Sequence, residues 1–130
     1  MTKHFGEHVT IDGYNGNIER LNSKEVVATA LSDICSAIGM QPLAEPFVVS
    51  APDNQIKDPG GWSGFLIIAE SHISIHTFPR RRFFTADVYS CKNGIDVGKV
   101  VSFFKETFLL EDVEIHFIQR GLKYPEKNIA

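Results

Sequence analysis

Cysteine is scarce. With only Cys35 and Cys91 in 130 residues, a disulfide framework of the kind that staples small secreted domains is excluded, and both thiols are expected to be reduced. An excess of positive charge is also lacking. The formal net charge is -3, whereas nucleic-acid scaffolds usually carry a basic surplus that recruits phosphates. The one basic cluster, Arg80-Arg81-Arg82, reads as a solvated turn, so no nucleic-acid partner is expected. No apolar run is long enough for a bilayer-spanning helix, and the first eight residues lack the apolar stretch of a secretory signal. The expectation is a cytoplasmic protein with no membrane partner.

What is present suits one globular domain over residues 1–130. A hydrophobic share of 43% against a charged share of 22% can build a core, and the length allows one core and not two. Residues 7–12 alternate, Val9 and Ile11 against His8, Thr10 and Asp12, and the Gly-rich run 13–17 then predicts a turn. Asn22 and Glu25 have capping-box spacing, and Val27, Leu31, Ile34 and Ile38 recur at helical intervals before Gly39. That predicts a first helix. A short β-prone run at 46–50 precedes the loop-forming stretch 51–61, which collects Pro, Gly, Asp and Asn.

The run Phe65-Leu66-Ile67-Ile68-Ala69 predicts a strand buried on both faces. In 72–77 Ile73 and Ile75 alternate with His72, Ser74 and His76, and Phe84, Ala86 and Val88 mark the next strand. Val97, Val100, Val101, Phe104 and Phe108 line one face of a second helix, and Val113, Ile115 and Phe117 a last strand. This order predicts an α+β fold: a two-layer sandwich with helices on one face of a mainly antiparallel sheet. Strands this apolar do not suit a wet second face, so a homodimer covering part of it is expected.

Reactive groups gather between Ser63 and Cys91, and three chemistries compete for them. A hydrolase would use Ser71 or Cys91 with His76 as base, but there is no Gly-x-Ser-x-Gly elbow and no assignable orienting carboxylate. Metal binding by His72 and His76 fits helical spacing, yet on a strand four residues separate them by about 13 Å. No metal is expected. The third chemistry is self-processing.

It is here that the residues resemble a known family. Glu70-Ser71-His72-Ile73-Ser74-Ile75-His76-Thr77-Phe78-Pro79, followed by Asp87-Val88-Tyr89-Ser90-Cys91, is similar to the signature of the short prokaryotic S-adenosylmethionine decarboxylase proenzymes, which depend on a pyruvoyl group. A histidine five residues after Ser71, a cysteine twenty after it and a serine eight before it, Ser63, are all in register. The resemblance implies that Ser71 attacks the Glu70 carbonyl and that the chain splits into 1–70 and 71–130. Ser71 would thereby become a covalent pyruvoyl cofactor that binds the amine of an amino-acid-type substrate and accepts the electrons released with carbon dioxide. His76 would move the processing proton, Ser63 would hydrogen-bond at the junction, and Cys91 would be the proton donor in turnover. A thiol near ~8.5 keeps its proton at neutrality and a histidine can shuttle one there, so both roles are chemically sound.

Two features depart from the family pattern. Arg80 occupies the position where the family places a ribose-binding glutamate, and the 51–61 loop is longer than in the short family form, leaving Phe47 and Trp62 as candidates for the adenine-stacking aromatic. The resemblance therefore implies decarboxylation of S-adenosylmethionine for spermidine synthesis. The same machinery acting on arginine or ornithine, or an inactive binding partner, stands as the alternative. Cys35 and His72 are read as structural, and His4, His8 and His116 are assigned no role.

Overall fold

The computed structural model describes residues 4–56 and 59–130. Its elements run β1 (Gly6–Tyr14), α1 (Ile18–Leu21), α2 (Lys24–Ala37), β2 (Gln41–Pro42), β3 (Phe47–Ala51), β4 (Gly61–Ala69), β5 (Ser71–Phe78), a 3-10 turn (Pro79–Arg81), β6 (Phe83–Ser90), α3 (Val97–Phe108) and β7 (Asp112–Arg120). All strands pair antiparallel in one sheet of order β2-β4-β5-β6-β1-β7, with β3 following β2 along the same side of β4. The helices α2 and α3 cover one face. The expected two-layer α+β sandwich is what forms.

Alternation decides which residues face those helices. Val9, Ile11, Leu66, Ile68, Ile73, Ile75, Phe84 and Val88 point to the helix layer and are fully or almost fully buried. They meet Val27, Leu31 and Ile34 of α2 and Val100, Phe104 and Phe108 of α3. Phe84 sits 5.2 Å from the ring of Phe104 and 4.9 Å from that of Phe108. Each such side chain stabilises the fold by roughly 1.5–3 kcal/mol on burial. Gly64 lets α2 approach: a β-carbon there would lie 2.9 Å from Leu31 Cδ1 and 3.0 Å from Val27 Cγ1.

The structure departs from the sequence reading at four points. The α2 N-cap is Ser23, whose Oγ accepts from the Val26 amide at 3.1 Å, and not Asn22; Asn22 is already used as the C-cap of the one-turn α1, its amide bonding back to the Ile18 carbonyl. The strand at 65–69 is not buried on both faces within one chain. Leu66 and Ile68 are buried, whereas Phe65 is 41% and Ile67 48% exposed. Third, α1 and the two-residue β2 were not anticipated. The 51–61 loop shortens to 52–60, of which Lys57 and Asp58 lie outside the described residues.

Candidate active site

Ile68 pairs with Ser71, so the β4–β5 connection is a two-residue turn whose last residue is Glu70. Ser71 opens β5, and its hydroxyl donates a hydrogen bond to the Glu70 carbonyl. The predicted nucleophile thus lies on the carbonyl group it would attack. Glu70 is exposed and Ser71 half-buried.

Cys91 lies one residue beyond β6 and is half-buried. His72 opposite Tyr89 is the last pair that β5 and β6 share at this end, and Cys91 follows Tyr89 by two residues, at the same end of the sheet as Glu70. Two devices hold the backbone there. A β-carbon on Gly6 would collide with the Ser90 carbonyl oxygen and touch the Cys91 Cα, so β1 can close against this corner only with glycine. Beside it the buried Glu7 carboxylate accepts from the amides of Gly94 at 2.8 Å and Ile95 at 2.9 Å, pinning the loop that follows Cys91. Sequence reasoning did not single out Glu7. Its signal is a carboxylate at a position where alternation turns inward.

Ser63 and His76 are brought together, but elsewhere. They are register partners on β4 and β5, with His76 Nδ1 3.0 Å from Ser63 Oγ. His76 and Ser71 sit on one strand five residues apart, which at about 3.3 Å per residue is roughly 16 Å. Within one chain the His76–Ser63 pair does not reach the Glu70–Ser71 bond.

Among the candidates for an aromatic wall, Trp62 turns to the helix layer and packs against the core. Its buried Nε1 lacks a hydrogen-bond partner among the described residues. Phe47, paired with Phe65, stays 67% exposed on the open face. Arg80 is turned outward, its Nη1 3.5 Å from the Asp53 carboxylate, with 75% of its side chain exposed. Cys35 is a core residue, as expected: its thiol donates to the Leu31 carbonyl at 3.4 Å, and burial pushes it up from its ordinary range. A groove of about 410 Å³ lined by Arg20, Asp33 and Phe103 lies on the helix side, away from Ser71.

The open face carries one cluster that the sequence did not reveal. Asp87 of β6 accepts from His8 Nε2 at 2.6 Å, from His72 Nε2 at 3.0 Å and from the Ser74 hydroxyl. Burial alone would raise this carboxyl, but the bonds from Ser74, His8 and His72 outweigh it and hold Asp87 below the usual carboxylate value. Among the described residues, His8, His72 and Asp87 bring three metal-capable atoms within 4.8 Å of one another. Arg120 argues against a cation there. Its Nη1 lies 3.0 Å from His8 Nδ1, and a guanidinium can only donate. His8 Nδ1 must therefore accept, and the ring proton sits on Nε2, facing Asp87, where a metal would need a lone pair.

Comparison with known proteins bears on the whole chain. The sequence profile of the S-adenosylmethionine decarboxylase family matches residues 7–121. An S-adenosylmethionine decarboxylase proenzyme of Clostridium botulinum strain Hall is 34% identical over 119 residues, covering 92% of this chain and 97% of that one. A proenzyme of the same description from Symbiobacterium thermophilum is 27% identical over 117 residues, 90% of this chain and 83% of that one. The crystal structure of the adenosylmethionine decarboxylase from Aquifex aeolicus superposes with a TM-score of 0.80 at 22% identity, over 98% of this chain and 99% of the other, a likeness of fold. With a profile match over nearly the full length and a relative above 30% identity along almost all of both chains, this chain belongs to the S-adenosylmethionine decarboxylase family.

Proposed function

We propose that the chain cuts itself between Glu70 and Ser71 and then decarboxylates S-adenosylmethionine, releasing carbon dioxide and the decarboxylated sulfonium amine that serves as aminopropyl donor. The observation that carries the reading is the Ser71 hydroxyl resting on the Glu70 carbonyl in a two-residue turn, inside a family whose relatives are described as proenzymes. Attack of Ser71 Oγ on the Glu70 carbonyl carbon exchanges the amide for an ester and frees the Ser71 amine. Loss of the Ser71 α-proton breaks the Cβ–O bond, leaving Glu70 as a carboxylate chain end, and water then releases ammonia from the new N-terminus. The pyruvoyl group so made supplies a ketone that binds the substrate amine and acts as electron sink.

Cys91, at the end of the sheet where the turn lies, is the proton donor of this reading. His76 and Ser63 supply the processing proton and a hydrogen bond. Because they lie about 16 Å from Ser71 of their own chain, the reading assigns them to a partner. The exposed Phe47, Phe65 and Ile67 on the open face are what a second copy would cover, and a twofold axis would carry one copy's His76 to the other's Ser71. Arg80, outward against Asp53, leaves a sulfonium substrate unopposed. The family match is what favours S-adenosylmethionine over arginine or ornithine.

Intact mass under denaturing conditions tests the reading. Two fragments, 1–70 and 71–130, are expected, and Ser71→Ala should give one uncut chain. An uncut parent chain would overturn it.

A further inference from the structure

We propose that Asp87 is the positioning residue of the cleavage site: acting through His72, it holds the residue next to the scissile bond in place both before and after that bond is cut. The inference rests on the self-processing reading above.

His72 follows Ser71 directly, so its backbone nitrogen carries the group that Ser71 becomes. Its side chain is held from three sides. Nε2 donates to Asp87 at 3.0 Å, the ring stacks on Phe65 at 5.2 Å, and its edge meets Tyr89 at 5.6 Å. Asp87 is fixed in turn by His8 of β1 and Ser74 of β5. Arg120 of β7 locks the His8 ring by bonding Nδ1 at 3.0 Å, while its guanidinium carbon lies 4.7 Å from the Tyr89 ring centroid. Residues from five strands therefore converge on one imidazole. Its own backbone does not need them, because β5 is already paired on both sides at this position.

The need arises at cleavage. Until then the β4–β5 turn ties Ser71 to its neighbour covalently; once Glu70 is a free carboxylate, Ser71 is a chain terminus, and termini fray unless tied down. A clamp one residue away restricts that end to the geometry in which the cut was made. Asp87 does not touch Ser71, so its role is positional.

Asp87→Asn keeps the shape and removes the charge, and His72→Phe keeps the ring against Phe65 while losing the bond to Asp87. Cleavage would be followed by intact mass, turnover by carbon dioxide release from S-adenosylmethionine, and local opening by hydrogen exchange in the peptide covering 69–75. Both variants should cleave at least about tenfold more slowly. Their mature fractions should lose kcat with KM within about twofold, and exchange should rise more at 69–75 than in α3 or β7. An equal rise in all three would overturn the local role. Parent-like cleavage, kcat and local exchange in both variants would overturn the proposal. If the parent chain itself does not cleave, the processing reading falls, and exchange at 69–75 still decides whether Asp87 holds the turn.

Discussion

At the scale of single residues, charge explains why two polar positions behave so differently. Arg80 and Asp53 form an exposed pair at 3.5 Å, and such pairs are worth ~0–1 kcal/mol. Arg80→Ala should therefore change unfolding free energy by less than about 1 kcal/mol, and KM for S-adenosylmethionine should stay within about twofold. A large fall in KM would place the guanidinium against substrate. Asp87 is the opposite case. Its folded-state value lies below the ordinary 3.8 because Ser74, His8 and His72 favour the anion against the cost of burial. The stability it contributes is therefore fully present above the ordinary value and is lost as pH falls through the folded one. Thermal melts should find Asp87→Asn clearly less stable than the parent at pH 7, with the gap closing as pH falls below the ordinary carboxylate value. A gap independent of pH would mean that the carboxylate's charge is not what position 87 supplies.

Elements were legible where their periodicity was strong. Val9 and Ile11, Ile73 and Ile75, Phe84, Ala86 and Val88, and the Val100–Phe104–Phe108 stripe each marked a face that the structure buries. What periodicity missed was short. The four residues of α1 make one turn, too few to repeat, and because Asn22 ends that turn the α2 cap moves to Ser23. The 65–69 run misled for a different reason: its apolar residues on both faces implied double burial, but one chain covers only Leu66 and Ile68. The reactive residues were legible as a motif, yet their grouping was not. Ser63 meets His76 only through strand register, and His8 reaches Asp87 across a separation of 79 residues. Glu7 belongs to this scale too. It joins the start of β1 to the 92–95 loop through two amides, and charge-assisted bonds of this kind are worth about 1.5–3 kcal/mol each. Glu7→Ala should lower stability by roughly 2–4 kcal/mol and raise hydrogen exchange at Gly94 and Ile95 first. An equal rise throughout the sheet would show that Glu7 supports the whole fold and not that loop.

For the whole molecule, the decisive geometry is the length of β5. It carries Ser71 at one end and His76 towards the other, so on the proposed reading a chain acting alone would have the nucleophile without the processing pair. The proposed pairing of two chains would answer both this separation and the exposed apolar side chains of the open face, each chain supplying what the other lacks. That solution predicts complementation. Ser71→Ala has no nucleophile but an intact His76, and His76→Ala has the nucleophile but no base, so each alone should remain uncut or cut at least ~100-fold more slowly, at the lower end of what a positioned acid–base group contributes. Coexpressed or mixed after denaturation and refolding, they form mixed pairs in which the His76→Ala chain is cut by the histidine of its partner. Random pairing makes about half of all dimers mixed, so roughly half of the His76→Ala chains should appear as two fragments by intact mass, while the Ser71→Ala chains stay whole. If mixing leaves both variants uncut while the parent chain processes, His76 acts within its own chain, and β5 must bend or open to let it do so.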